Sequence, residues 1–218
     1  LISGAACGIC GASAALAVAS VMPRGEETDR YALVVVIGVT VMSTVAMVLY
    51  PLALQGLDVD VLRGGLFLGG TIHDVAQVVA AASMWGGPGA GQLLETATLA
   101  KLIRVAMLFP VVLVLAWVVR GAVGRRAATP LAEGMPVLPG FLLAFVGFML
   151  LASAGWLPAA VVEAGQQLSR LLLAMAVAAV GMKTRFQDLR RVGWLPLLML
   201  LAETLWVALL VGTGLWLA

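Results

Sequence analysis

A group of polar side chains inside the otherwise apolar stretch 65–80 is the part of this chain with the clearest capacity for chemistry. It holds His73, the single histidine of the sequence, together with Asp74 and Gln77. His73 and Gln77 are one helical turn apart and share a helix face, as do Asp74 and Gln77. A histidine beside an aspartate can bind and release a proton near neutral pH. We therefore predict that His73 and Asp74 handle a coupling proton and that Gln77 binds substrate.

A structural alternative for this group is a hydrogen-bonded knot that ties two helices together. An ionised aspartate at the centre of a membrane helix costs about 2.5–3.5 kcal/mol, so such a residue usually faces a cavity, a partner or a solute path. This cost favours the functional interpretation. A metal site is not expected, because one histidine and one aspartate do not complete a coordination shell, and no cofactor is expected either.

Two basic residues, Lys101 and Arg104, lie three positions apart in another apolar run and share a helix face. An arginine fork can bind an oxyanion through two parallel hydrogen bonds, so we predict that both residues attract an anionic substrate. The alternative is that they snorkel to the outer interface, which is easier for Lys101 than for the deeper Arg104.

Other polar residues within apolar runs carry weaker signals. Glu203 lies well inside the last run, where it could pair with a buried base, carry a proton or face a subunit interface. Ser43 and Thr44 are expected to bond to carbonyls of their own helix. Cys7 and Cys10 form a Cys-x-x-Cys step without a second pair, and we interpret them as small packing residues.

The first and third apolar runs share a glycine pattern. Each has two glycines four apart, a further glycine within three residues, and then an Ala-rich segment; an offset of 63 residues aligns Ile9 with Ile72 and Ala17 with Ala80. Glycine-interrupted spans are typical of transporter sites built from discontinuous helices, whose N-termini aim N–H groups at an anion. Packing of unbroken helices through GxxxG steps is the alternative. The substrate-binding residues predicted at these two breaks are Gly8, Cys10, Gly11, Ser13, Gly70 and Thr71.

Composition indicates that the solvent of this chain is a lipid bilayer. Hydrophobic residues make up 62% of the 218 positions and charged residues 11%, whereas soluble domains have about 25% charged residues. The net charge of +2 is too small to indicate a nucleic-acid partner.

The chain begins at Leu1 within an apolar run, so we expect further spans before it. Apolar runs of about 20 residues predict about seven membrane helices in a single domain over 1–218: 1–22, 31–53, 65–84, 98–119, 137–154, 168–182 and 194–217.

Basic residues predict the orientation of these spans. The Arg120–Arg126 and Lys183–Arg191 segments should be cytoplasmic, and the loops that follow the third and fifth spans, which lack Lys and Arg, should be external. Alternation of seven spans then places the first residue inside and the last outside. It also places Arg24 and Arg30 outside, against the same rule.

Several of these stretches resemble the bacterial YeiH-type family of membrane proteins, which carries the label of sulfate exporter. Residues 9–14 resemble its Ser-Ile-Cys-Gly-Ala motif, and residues 72–81 resemble its His-Glu-Val-Ala-Gln-Val-Val-Ala-Ala signature. Asp74 stands where the family has Glu, and Glu203 stands in a span that is usually apolar. Further stretches follow in family order: 44–51, 101–105, 173–182 and 196–198.

The resemblance implies an all-α, polytopic protein of the bacterial inner membrane, of which this chain is the C-terminal two-thirds. It implies a secondary transporter that exports a small anion, with a sulfate-like anion as the first candidate and a proton or sodium as the coupling ion. A non-transporting membrane scaffold is the first alternative, and an intramembrane enzyme using His73 and Asp74 is the second. We expect no enzyme activity, and a homo-oligomer is left open.

Overall fold

The described part of the chain is helical and contains no strand. The computed structural model describes residues 1–22, 25–123 and 194–217, with scattered positions between 144 and 175. The all-α class is confirmed. Predicted spans 137–154 and 168–182, and the segment Lys183–Arg191, lie largely or wholly outside these residues. The helices are α1 (Ile2–Ala5), followed by a π-helical turn (Ala6–Cys10), then α2 (Ala12–Val21), α3 (Glu26–Gly56), α4 (Val61–Thr71), α5 (Val75–Ser83), α6 (Ala90–Ala106), α7 (Leu108–Val123) and α8 (Trp194–Leu217).

Three segments of the described chain are long and apolar enough to cross a membrane. They are Glu26–Gly56, Ala90–Leu115 and Leu195–Leu217, which correspond to α3, to α6 with the first half of α7, and to α8. Each exceeds the roughly 20 residues that a bilayer requires. The polytopic membrane class is thereby confirmed, whereas the expected count of seven spans is not.

The third predicted span, 65–84, is a helical hairpin. Val61, at the start of α4, packs against Gly89, which follows α5, and Gly64 lies beside the indole of Trp85. Both ends of segment 61–83 are therefore on one side, and the chain reverses at Ile72–Asp74. At 1.5 Å per residue each arm is about 13–16 Å long, which is half the thickness of the hydrocarbon core. We call residues 61–83 hairpin 2.

The first predicted span, 1–22, is a hairpin as well. Helix α1 folds back along α2, and the chain reverses at Gly11, whose φ of 63° and ψ of −126° belong to a backbone region that only glycine adopts readily. We call residues 2–21 hairpin 1. Hydropathy alone does not separate a 20-residue span from two apolar arms of half that length, which is why both segments were predicted as spans.

The two hairpins enter from opposite sides and meet at their tips. Hairpin 1 packs against the N-terminal half of α3 and hairpin 2 against its C-terminal half. Along α6 and α7 the order is reversed: hairpin 2 packs against the start of α6, and hairpin 1 packs against α7. A Cβ placed on Gly11 would lie 3.5 Å from the His73 carbonyl oxygen, so the tips are in contact. The side where hairpin 1 enters is called face 1, and the opposite side face 2.

This arrangement is a repeat of inverted topology. A hairpin followed by a long helix occurs at 2–56 and again from residue 61 through α6 and α7. The offset of 63 residues aligns Gly11, the N-cap of α2, with Asp74, the N-cap of α5. The weak repeat seen in the sequence therefore corresponds to a structural one.

The glycine step of hairpin 2 serves helix packing, and the break lies beyond it. A Cβ on Gly65 would come within 2.8 Å of the Thr96 Cβ, and one on Gly69 would overlap the Ala97 carbonyl oxygen. The backbones of α4 and α6 approach closely through these glycines. The break was predicted at Gly69–Thr71, and the structure has it at Ile72–Asp74.

The hairpins also change the sidedness of the loops. Because hairpin 1 does not cross, the start of α3 lies on face 1, as does the end of α7. Arg30 of α3 and Arg120 of α7 are therefore on one side, and the conflict of Arg30 with the positive-inside rule disappears. Arg24 lies outside the described residues.

Candidate functional site

Polar side chains gather at the level where the hairpin tips meet. They come from the middle of each long helix and from hairpin 2, and their hydrogen bonds connect them to one another or to the two hairpins. The group consists of Ser43 and Thr44 of α3, His73 and Gln77 of hairpin 2, Lys101 and Arg104 of α6, and Glu203 and Thr204 of α8.

Lys101 connects the two tips. Its side chain is 0% exposed, and its Nζ donates to the carbonyl of Ile9 at 2.7 Å and to that of Ile72 at 2.9 Å. These two carbonyls are equivalent positions of the repeat, 63 residues apart. Snorkelling of Lys101 to the interface, the alternative drawn from the sequence, is therefore wrong.

Arg104 spans the same two segments one turn further along α6. Its Nη1 donates to the Gly70 carbonyl at 2.7 Å and its Nη2 to the Cys7 carbonyl at 2.8 Å, which are again equivalent positions. Nε donates to the Gly8 carbonyl at 3.1 Å. Unlike Lys101, Arg104 is only partly buried.

Both cations therefore bind the carbonyl ends of the first arms of the hairpins. Those ends carry unsatisfied carbonyls and the negative pole of the helix dipole. The free N–H groups lie at the starts of the second arms. There Asp74 caps α5, with its Oδ1 accepting from the Ala76 N–H at 2.7 Å. At the equivalent position Gly11 gives α2 no side-chain cap.

His73 holds four elements together. It is 0% exposed; its Nδ1 bonds to the Cys7 carbonyl at 3.1 Å and its Nε2 to the Thr204 hydroxyl at 3.0 Å. Its backbone N–H donates to the Ser43 hydroxyl at 3.2 Å. A carbonyl only accepts, so Nδ1 carries a hydrogen, whereas the Thr204 hydroxyl can serve Nε2 as donor or acceptor. The geometry thus fits both a neutral and a protonated ring, and proton coupling by His73 stays a prediction.

Gln77 is buried with an unused acceptor. Its Nε2 donates to the Thr44 hydroxyl at 2.9 Å, and Thr44 in turn donates to the Thr40 carbonyl at 2.8 Å. The Gln77 Oε1 has no hydrogen-bond partner within the described segments. The back-bonding expected for Thr44 is confirmed, although its oxygen also serves Gln77.

The remaining predicted binding residues have different surroundings. The Thr71 hydroxyl donates to the Phe67 carbonyl at 2.6 Å, which commits it to its own helix. Cys10 is buried beside α7, and Ser13 is exposed on α2. Gly8 and Gly70 contribute carbonyls to Arg104 rather than N–H groups to a ligand.

Glu203, Thr204 and Ser3 were not predicted as site residues. The Glu203 Oε1 accepts from the Ser3 hydroxyl at 3.0 Å, and its Oε2 is buried without a partner in the described part of the chain. A carboxylate in the middle of an apolar span is a signal that the sequence does carry. The roles of the Ser3 and Thr204 hydroxyls have no comparable sequence signal.

Comparisons with known proteins place the chain in a family. The family model described as Conserved hypothetical protein 698 matches residues 1–200. The UPF0324 membrane protein TauZ of Paracoccus denitrificans is 48% identical over 218 residues, covering 99% of this chain and 62% of that protein. The UPF0324 membrane protein CT0845 of Chlorobaculum tepidum is 41% identical over 219 residues, covering 100% of this chain and 59% of that protein.

The chain thus spans about three fifths of the length of these relatives. No solved structure matches it. The motif of residues 72–81 and the family match agree, and the chain belongs to the UPF0324 family of membrane proteins, the YeiH type.

Proposed function

We propose that this chain forms the substrate-binding core of a secondary transporter for a small oxyanion in the bacterial inner membrane. The observation that carries the proposal is the meeting of two hairpins, which enter from opposite sides, beside Lys101 and Arg104. Inverted repeats with discontinuous helices are the architecture in which transporters hold substrate near the bilayer midplane. Irregular backbone at membrane depth is tolerated only where protein buries it or where it lines a cavity.

The charges at the tips favour an anion. Two helix C-termini supply about half a negative charge each, and Asp74 supplies one full negative charge. Lys101 and Arg104 supply two full positive charges, and the starts of α2 and α5 add about half a positive charge each, so the balance is positive. At the start of α5 the carboxylate of Asp74 accepts from the Ala76 N–H, whereas at the equivalent start of α2 no side chain caps the N–H groups. An external oxyanion at α2 would meet these N–H groups within about one turn of Arg104. Since Lys101 is fully buried, Arg104 is the cation that faces substrate.

The first probes are sulfate and taurine. The family label suggests sulfate, and the name TauZ of the Paracoccus relatives hints at a taurine-related role for those proteins. Taurine ends in a sulfonate, whose tetrahedral oxygens resemble those of sulfate. Both present acceptors that N–H groups at a helix start and an arginine fork can bind.

A flux measurement tests the proposal. The natural full-length protein is reconstituted in liposomes, and entry of labelled sulfate or taurine is measured for wild type, Arg104→Gln and Arg63→Gln. Arg63 is a matched control, because its ion pair with Asp60 lies at the surface. We expect Arg104→Gln to lose flux and Arg63→Gln to keep it.

Equal flux in Arg104→Gln and wild type would contradict the assigned role of Arg104. Wild-type flux no greater than that of empty liposomes, for either probe, would contradict transport of these anions. The two alternatives predict distinct results, since a scaffold subunit moves no solute and an intramembrane enzyme releases a chemically altered product. The opposed hairpins favour transport over both.

A further inference from the structure

Glu203 is a carboxylate near the midpoint of a membrane helix, and it forms no ion pair with another residue that the structure describes. It lies at the tenth position of the 24-residue helix α8, at the level of the hairpin tips. The salt bridge that the described residues form is the surface pair Arg63–Asp60. The nearby cations Lys101 and Arg104 direct their hydrogen bonds to backbone carbonyls instead.

The two oxygens of Glu203 are in different situations. Oε1 accepts from the Ser3 hydroxyl at 3.0 Å, while Oε2 is buried and has no partner among the described residues. A buried ionised group without compensation is costly, and a proton on Oε2 removes the charge. A bound metal cation is a poorer solution, because hard cations take about six oxygen ligands and the Thr204 hydroxyl is already bonded to His73.

Among the described residues, four elements bring titratable or charged groups towards Glu203. Hairpin 1 contributes the Cys7 thiol next to Glu203, and α6 contributes Arg104 on the other side of Cys7. Hairpin 2 contributes His73, which reaches Thr204. Helix α3 contributes Tyr31, whose hydroxyl donates to Met199 about one turn away, and the charged residue of α4, Arg63, is paired at the surface.

Glu203 also lies where α8 contacts both hairpins. Its hydrogen bond to Ser3 connects α8 to hairpin 1, and the hydrogen bond between the adjacent Thr204 and His73 connects α8 to hairpin 2. A shift of α8 against the hairpins would open both bonds together and bring water to Oε2. The charge on Glu203 and the position of the hairpins are thereby linked.

We propose that Glu203 binds the coupling proton of the transporter. Its Oε2 takes a proton from water on one side of the membrane and returns it to water on the other, so no further reactant is consumed. This inference rests on the proposed transport function and names its coupling ion. It assigns the central role in coupling to Glu203, with His73 as its neighbour through Thr204.

The test compares proton-driven and gradient-free transport in the full-length protein. Labelled sulfate or taurine is followed in liposomes with a pH gradient and, separately, as exchange at equal pH. For Glu203→Gln we expect complete loss of gradient-driven flux while exchange remains. Glu203→Asp keeps a titratable group and should retain gradient-driven flux with a displaced pH profile. Glu95→Gln, at an exposed glutamate of α6, should behave as wild type.

Infrared spectroscopy of the same samples supplies a readout that needs no substrate. We expect a pH-dependent carboxyl band in wild type that Glu203→Gln lacks. If wild type shows this band but moves neither probe, the transport proposal fails and proton binding by Glu203 stands. Identical carboxyl bands in wild type and Glu203→Gln, unchanged gradient-driven flux in Glu203→Gln, or flux driven by sodium alone would each overturn the inference. Should Glu203→Gln fail to fold, an unshifted pH profile in Glu203→Asp would overturn it as well.

Discussion

Lys101 and Arg104 share a helix face but differ in burial, and this difference separates their roles. The Lys101 ammonium is enclosed and bonded to one carbonyl from each tip, so it holds the two hairpins together. The Arg104 guanidinium bonds to the same two segments but remains partly exposed. The fork therefore combines a structural contact with access for a ligand.

Replacing Lys101 by methionine should destabilise the protein. The Ile9 and Ile72 carbonyls would lose a charged donor, and an unsatisfied buried acceptor costs about 1–3 kcal/mol. We expect a lower melting temperature, followed with a thiol-reactive fluorophore, because Cys7 and Cys10 are buried and become reactive only on unfolding. Ile103→Met, at an exposed position of the same helix, is the control and should melt like wild type. Equal melting temperatures of the two variants would show that the hydrogen bonds of Lys101 to the two tips do not stabilise the protein.

Substitutions of Asp74 can separate its role as the N-cap of α5 from the effect of its charge. Asparagine is also a good N-cap, so Asp74→Asn should keep the bond to the Ala76 N–H and the melting temperature. We expect transport to be lost because the negative charge is removed, and any activity that remains should depend less on pH. Asp74→Ala removes the cap as well and should lower the free energy of unfolding by about 0.5–2 kcal/mol. Thermal melts and liposome flux on both variants measure this. Normal flux in Asp74→Asn would mean that Asp74 is only a cap.

At the scale of elements, the arms of the hairpins are stable because neighbouring helices satisfy them. Helices of 9 to 11 residues are too short to cross the bilayer, so the backbone groups at their inner ends must be satisfied within the protein. Helices α3, α6 and α7 pack around the arms. The carbonyl ends, which lie at membrane depth, are satisfied by Lys101 and Arg104. The fold of each hairpin thus depends on side chains from a different element.

Gly69→Ala should test the close contact between hairpin 2 and α6. The added methyl overlaps the Ala97 carbonyl oxygen, and overpacking of this kind typically costs about 1–3 kcal/mol. We expect a lower melting temperature and impaired transport, since the contact positions Lys101 against the Ile72 carbonyl. Gly91→Ala is the matched control, because a Cβ there meets nothing within 4 Å. A wild-type melt for Gly69→Ala would contradict the packing described here.

At the scale of the whole molecule, the sequence predicts the fold class and the polar residues that lie together better than the path of the chain. The polar group around His73, the cations of α6 and the repeat offset of 63 residues are all visible in the sequence, and the structure brings them together. Three predicted spans coincide with α3, α6–α7 and α8. Their length and apolarity are local properties, which is why composition reveals them.

The hairpins could not be predicted from hydropathy, because a reversal needs only Gly11 in one case and Ile72–Asp74 in the other. Nor does the sequence show that the breaks would turn carbonyls toward Lys101 and Arg104, since that depends on how hairpins and long helices pack. One signal was present: the unexplained Arg24 and Arg30 in a loop assigned to the outside. It conflicts with seven alternating spans and indicates that one segment does not cross.

The path of the chain predicts which loops are exposed on the same side. Hairpin 2 places Gly56 and Gly87 together on face 2, and Glu27 lies on face 1 with Arg30 and Arg120, which the positive-inside rule makes cytoplasmic. Cysteines at these three positions, in a background with Cys7 and Cys10 replaced by alanine, are treated with an impermeant thiol reagent on intact cells. Positions 56 and 87 should react, and position 27 should react only after permeabilisation. The background protein without added cysteine controls for non-specific labelling. Continuous spans at 1–22 and 65–84 predict that positions 27 and 87 are labelled from outside and that position 56 is protected. Position 87 reacts in both cases, so the results at positions 27 and 56 decide between crossing helices and re-entrant hairpins.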